Sequence, residues 1–473
     1  MESEANTTSS RWAEAVFSHV DLGDTRRAAR LVQMAAAACE RPSGKVAAVF
    51  TSDRQREGAY DFLENPDVPT EAIVEGLAKA TVERCVDQPF VVVPVDGTSV
   101  TVVDWTGERD FGRIGSDHMG GRGLKAIDAI AVDAQGTPIG LLALSWWARS
   151  AERSPARDTF ARRARPLEQK ETRYWIQTVQ AAARALDERR VRGWFQIDRE
   201  GDGYDLLHAL SDTEHQWTVR GNADRSIQLE GGDHGLLRAQ LERGPVSGTY
   251  ALPVVARPGR KPREARMLVR VARVVLRMRD RKTSPVARPL ARLPVTVVWA
   301  REEGSAPVGE DPIDWLLYTN RPVQTFEDAQ LVIWAYTQRW RVEEFHRTWK
   351  RGDCDIESTQ LRSSAAVQRW ATIVAAVALR IERLKRLARF QSQRPAILEL
   401  SPFELRALKA LKFGPEPPQH EPTIAEAVLW LAELGGYANK YSGKPPGATV
   451  LGRALKYLRP AARMLQIQQV YGK

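Results

Sequence analysis

Three carboxylates carry the chemistry this chain could perform. Asp96 interrupts the apolar run VVVPVDGTSV, Asp198 closes the apolar run WFQID, and Glu343 lies inside YTQRWRVEEFHRTWK. A carboxylate buried in a strand with neither a partner nor a metal is strongly unfavourable, and carboxylate oxygens are the ligands that suit hard divalent cations. Each acid also has an ordinary reading. Asp96-Gly97 is a good turn pair, Asp198 can cap a helix beginning near residues 202–204, and Glu343 can belong to ion pairs on a solvated helix face.

The surroundings of Glu343 carry more information than the acid itself. At about 100° per residue, a helix through YTQRWRVEEFHRTWK puts Tyr336, Arg339, Glu343, Arg347 and Lys350 in one stripe, with Leu331, Trp334, Val342, Phe345 and Trp349 opposite. One face is a core stripe, and the other sets one carboxylate among three cations and a phenol. His346 reads as a helix-surface residue.

The elements that must position these residues follow from periodicity. From residue 12 to about residue 69 the chain is helical in character, with Asp21 or Asp24 as cap, a stop at Pro42-Ser43-Gly44 and a second helical piece over 54–63. Arg26, Arg27 and Arg30 share a face there, as a solvated cluster or as a contact for DNA. From Phe90 the pattern changes to three strands, with Ala134-Gln135-Gly136 as a turn, then a helix over 167–187 and the short strand WFQIDRE. Three strands, a helix and a strand open a ribonuclease H-like fold, in which the first and fourth strands are neighbours, so Asp96 and Asp198 would lie side by side. After QWTVRGN the segment to about residue 310 reads as an antiparallel β insertion, with Arg257, Arg260, Lys261 and Arg263 at a hairpin tip. Trp315 follows in DPIDWLLYTNRPV, and a tryptophan there is ordinarily core. Beyond residue 371 the sequence is helical, broken at 414–422.

The expected fold class is therefore α/β: a ribonuclease H-like catalytic core at 73–372, carrying the antiparallel β insertion at 222–312. A helical part at 1–72 precedes it, and a helical tail at 373–473 follows, as a packing surface or a dimerisation face. The chain has 473 residues, 69 Lys and Arg against 59 Asp and Glu, and a net charge of +10, a balance that favours a polyanionic partner. Six arginines between residues 149 and 165 make either a mobile loop or a phosphate-tracking surface. Cys39, Cys85 and Cys354 are too scattered for a disulfide framework or a metal knuckle. No signal peptide or membrane span is visible, so a cytoplasmic location is expected.

Taken together, these stretches resemble the DDE transposases of bacterial insertion sequences, in the cut-and-paste branch with a Tyr-Arg-Glu-Lys box and a DNA-hairpin intermediate. The resemblance is carried by SHVDLGDTRRAARL, REGAYDFLENPDV, VDGTSV, PLEQKETRYW, IDREGDGYDLL, DWLLYTNRPV and, most specifically, YTQRWRVEEFHRTWK. It implies that Asp96, Asp198 and Glu343 are catalytic and hold two Mg²⁺ ions, for which Mn²⁺ can substitute. It implies that Tyr336, Arg339 and Lys350 grip phosphates around a flipped base and that Trp315 stacks on that base. Residues 1–72 would be a helical DNA-binding domain whose Arg26, Arg27 and Arg30 contact the transposon end, residues 373–473 would be a helical C-terminal dimerisation domain, and Arg347 joins the DNA-binding set from its place on the stripe. The implied partners are double-stranded DNA, as transposon ends and target, and a second copy of the chain in a synaptic homodimer. The implied location is the bacterial cytoplasm, at the nucleoid when DNA is bound. Two other readings stay open: a non-catalytic DNA-binding regulator of transposition, and a ribonuclease H-like nuclease without strand transfer.

Overall fold

The computed structural model describes residues 8–104, 106–115, 121–150, 166–228, 233–256, 261–278, 291–304, 306–438 and 445–471. The chain begins with helices: α1 (Thr8–Phe17), α2 (Thr25–Glu40), α3 (Val46–Val49), α4 (Asp53–Glu64) and α5 (Thr70–Glu83). Of the two cap candidates, Asp24 starts α2, accepting the Arg26 N–H at 2.7 Å. That satisfies a donor the first helical turn leaves orphaned. The expected domain boundary at residues 72 and 73 falls inside α5, whose buried residues run from Thr70 to Val82.

The strands follow as β1 (Val91–Val102), β2 (Gly112–Arg113), β3 (Arg122–Val132) and β4 (Pro138–Trp147). Between β3 and β4, Asp133 Oδ1 accepts the N–H groups of Gln135 and Thr137. Gly136 there takes φ of +81°, a conformation that side chains disfavour. Helix α6 (Thr172–Glu188), β5 (Gly193–Ile197), α7 (Tyr204–Ser211) and β6 (Gln216–Arg220) come next. The segment read as an insertion gives β7 (Ser226–Gln228), β8 (His234–Leu236), α8 (Leu237–Arg243), β9 (Gly248–Val254), β10 (Arg263–Met278) and β11 (Ala291–Glu302). Strand β12 (Asp314–Thr319) returns from it and pairs with both β11 and β6. The insertion thus prolongs one mixed sheet, ordered β2-β3-β1-β5-β6-β12-β11-β10-β7-β8, with β4 on β3 and β9 on β10.

Alternation along β1 assigns its two faces. Val91, Val93 and Val95 pack with Trp175 and Val179 of α6. Val92, Val100 and Val102 pack on the other side with later helices. The later helices are α9 (Phe326–Thr337), whose buried side chains lie in a separate core with Val298 and Leu317, and α10 (Trp340–Lys350), α11 (Ser364–Phe390), α12 (Pro402–Phe413), α13 (Ile424–Leu434) and α14 (Ala448–Tyr471), which share the core of Val92. The single helix expected through Tyr336 and Lys350 is two helices. At the junction Arg339 N–H bonds Tyr336 O and Arg341 N–H bonds Gln338 O, three residues back rather than four. This tightening re-aims α10 without proline or glycine.

Helix α11 is the hub of the helical side. Ala371, Ile373, Val374 and Leu379 share one continuous core with Leu31 and Met34 of α2, Val92 and Val100 of β1, and Leu455 of α14. Arg369 Nε reaches Val68 O at 2.6 Å, and Trp370 Nε1 reaches Gly44 O at 2.9 Å. No helix among the described residues is long and apolar enough to cross a membrane. Trp370 is fully buried, so Trp370→Ala should lower the unfolding free energy by about 3–5 kcal/mol, read from urea denaturation.

Candidate active site

Strand register brings the first two acids together. β1 and β5 run parallel with Val95 opposite Ile197, which leaves the next residues side by side, Asp96 midway along β1 and Asp198 just past the end of β5. Asp198 is not the cap of the following helix, whose N-cap is Gly203; its Oδ1 accepts the Glu200 N–H at 2.7 Å and caps a short turn over Arg199–Gly201 instead. Asp96 accepts the Gly97 N–H at 2.8 Å. The capping contacts use Oδ1 of each aspartate.

Glu343 arrives from the opposite layer through Arg339. The Arg339 guanidinium reaches Asp96 Oδ2 at 3.1 Å and Glu343 Oε1 at 2.5 Å, so one cation joins a strand carboxylate to a helix carboxylate. The neighbouring Glu344 takes no part, because it pairs with Arg341 at 2.7 Å and Lys385 at 3.4 Å. The tight turn between α9 and α10 puts Arg339 at the start of its helix, pointed at β1. Among the described residues, no three His, Cys, Asp or Glu side chains already form a metal-holding group. Two acids are adjacent by register and the third is tied to Asp96 by a guanidinium.

The electrostatics suit a hard cation. Burial pushes the Asp96 carboxyl up to about 6, against the pull of His346 and Arg339, and Asp198 adds to the rise. An ionised Asp96 is thus under-compensated by the protein alone. Carboxylate oxygens lacking sufficient positive charge are the donor set that divalent metal ions take.

Two residues of this site escaped the sequence reading. Asp128 stands opposite Asp96 in the β1–β3 register and is fully buried. Its Oδ2 lies 2.6 Å from His346 Nε2. His346 is therefore not a surface residue of α10, its side chain being 11% exposed. Burial alone would lower its pKa, but the Asp128 carboxylate, its hydrogen bond and Asp96 outweigh that and hold it above the ordinary value. The available signal was Asp128 interrupting the apolar run KAIDAIAV, as Asp96 interrupts its own.

The other sequence candidates divide. Lys350 Nζ lies 3.2 Å from Thr98 Oγ1, two residues beyond Asp96, and 3.6 Å from Glu357 Oε1. Burial would raise the Glu357 pKa, but Arg351, the Thr101 N–H and Lys350 hold it below the ordinary range. Trp315 and Tyr336 meet edge to face, centroids 6.2 Å apart, with Tyr336 buried and Trp315 partly exposed. Arg347 is exposed, so the five-residue stripe does not act as one surface. In α2, Arg26 is exposed beside Asp24. Arg27 pairs with Asp67 at 2.5 Å, and Arg30 donates to Gln55 O at 2.9 Å. Arg153, Arg157, Arg162, Arg163 and Arg165, and Arg257 and Arg260, lie outside the described residues.

Residues 91–380 match the family model described as Transposase DDE domain. The chain belongs to the DDE transposases. Residues 9–68 match the model described as Transposase DNA-binding, covering α1 to α4. DNA is therefore the partner of this transposase, and divalent-metal-dependent cleavage and strand transfer are its chemistry.

The raised Asp96 pKa fixes the sign of a stability effect. A carboxyl that binds its proton more tightly folded than unfolded contributes stability below about pH 4, and that contribution is lost as pH rises through about 6. At pH 7.5 without metal, Asp96→Asn should stabilise the protein by about 1–3 kcal/mol, seen as a higher melting temperature. A lower melting temperature would contradict the assigned cost of ionised Asp96.

Proposed function

We propose that this transposase performs cut-and-paste transposition through a DNA-hairpin intermediate, with Asp96, Asp198 and Glu343 as the ligands of two Mg²⁺ ions. The single observation supporting this most is the parallel register that sets Asp96 beside Asp198 while Arg339 draws Glu343 to the same point. The order β4-β3-β1-β5-β6, with β5 parallel to both β1 and β6, supports a ribonuclease H-like core.

When bound, the metal would activate a water or a DNA 3′-hydroxyl as nucleophile and stabilise the leaving oxygen. The chain's own side chains orient the DNA and keep the acids together. Arg339 has two competing claims on its charge, the acids it bridges and a phosphate at the transposon end. On DNA binding it turns to the phosphate and frees Asp96 and Glu343 for the metal. Lys350, anchored beside Thr98, and exposed Arg347 lie along α10 as further phosphate contacts. Trp315 against Tyr336 offers a partly open aromatic face for a base rotated out of the duplex. Arg26, Arg27 and Arg30 on α2 contact the end sequence, the first 72 residues forming the end-binding part. Residues 373–473 carry the contact between two copies that pairs the ends.

Asp96→Ala, Asp198→Ala and Glu343→Ala should each abolish Mg²⁺-dependent nicking of an end substrate while leaving end binding in place. Undiminished nicking in any one removes that residue from the metal site. Trp315→Ala should slow hairpin formation at least tenfold more than first-strand nicking, at about 1.4 kcal/mol per factor of ten; equal slowing would make the tryptophan merely structural. Lys350→Ala should lower the salt dependence of end binding by about one unit of slope, and an unchanged slope would deny it a phosphate.

A further inference from the structure

The Asp128–His346 pair has no part in the chemistry set out above, yet it lies directly beneath it. Asp96 and Asp128 face each other across β1 and β3, so both side chains emerge toward α10. Glu343 and His346 are three residues apart on α10 and share a face. The two tie points are therefore matched: Glu343 is joined to Asp96 through Arg339, and His346 to Asp128 directly, at 2.6 Å.

A plain core strand would place an apolar residue at 128, as it does at Ala126 and Ile130 on the same face. The cost of a buried carboxylate is large and its ion pair returns little net stability. What such a pair does provide is direction. The rest of the contact is apolar, with Val342, Phe345 and Trp349 packed on Val100 and Leu124. Phe345 and Trp349 are stacked, 5.2 Å apart and 12° from parallel. Apolar contact is non-directional and tolerates sliding. A short hydrogen bond between a ring nitrogen and a fully buried carboxylate does not.

We propose that Asp128 and His346 are a positioning pair that sets the height of α10 over the sheet, and thereby the distance from Glu343 to Asp96 and Asp198, without either residue ligating the metal. Asp128 Oδ2 is occupied by His346, and Oδ1 is shut away from solvent. The inference rests on the metal-site reading of the three acids. His346→Gln or Asp128→Asn loosens the spacing without removing a ligand.

The test is Mn²⁺ binding to the full-length protein, followed by electron paramagnetic resonance of free Mn²⁺, alongside the metal dependence of end cleavage. His346→Gln and Asp128→Asn should each weaken Mn²⁺ binding about 10–100-fold. The cleavage midpoint should move with it, while metal-free end binding and the rate at saturating Mn²⁺ are kept. Asp128→Leu with His346→Leu fills the same space without charge and should show the same weakening in a folded protein. Wild-type Mn²⁺ binding in any of these folded variants, or a lower maximal rate at an unchanged midpoint, overturns the proposal. Asp96→Asn separates the two layers: if it too binds Mn²⁺ like the wild type, the metal-site reading fails; if it alone loses Mn²⁺, only the positioning pair fails.

Discussion

Everything at the candidate site depends on the register between two parallel strands. Side chains alternate strictly along β1 and β5, so a slip of one residue would turn one aspartate to the α6 face and leave the other behind. Val91, Val93 and Val95 hold one face against α6, and Val92, Val100 and Val102 hold the other against the later helices. Both faces of β1 are therefore specified by apolar burial. Two acids from positions about a hundred residues apart in the chain meet because the hydrophobic pattern around them permits no other alignment.

Charge is then distributed by a single helix. Arg339 at the start of α10 serves Asp96 and Glu343, His346 serves Asp128, and Lys350 at its end approaches Glu357. Asp96, Glu343, Asp128 and Glu357 are thus each met by a basic side chain of α10 or its entry. The balance stays incomplete at Asp96, whose carboxyl remains raised to about 6 even so. A site tuned for full internal neutrality would have no affinity left for a divalent ion. This one keeps a residual demand for positive charge at Asp96.

Much of this was legible in the sequence. The strands on either side of Asp96 and Asp198 could be read because long apolar runs end in turn residues, and Asp24 was among the cap candidates for the same kind of local reason. The break between α9 and α10 was not legible, since neither proline nor glycine marks it and it rests on bonds at the junction. Asp128 was hidden for a different reason. Its significance lies in facing Asp96 across β1 and β3, and no local pattern gives the pairing of two strands. His346 was misjudged with it, because a histidine three residues from a charged stripe looks solvated until its partner is known. Both α5 and α11, which span the expected domain limits, contribute to the same core as the sheet, and no local pattern shows such sharing.

That shared core has a consequence for how such a protein could be re-engineered. Grafting the first helices of one member onto the body of another treats them as a detachable reader head. Here the seat of that head is made by α11, through Arg369 to Val68 O and Trp370 to Gly44 O. A chimera joined near residue 70 would inherit a foreign socket, and its first fault would be in solubility and not in sequence preference. Exchange of specificity in this architecture calls for surface substitutions within the DNA-binding match at residues 9–68, with the buried contacts to α11 carried along intact.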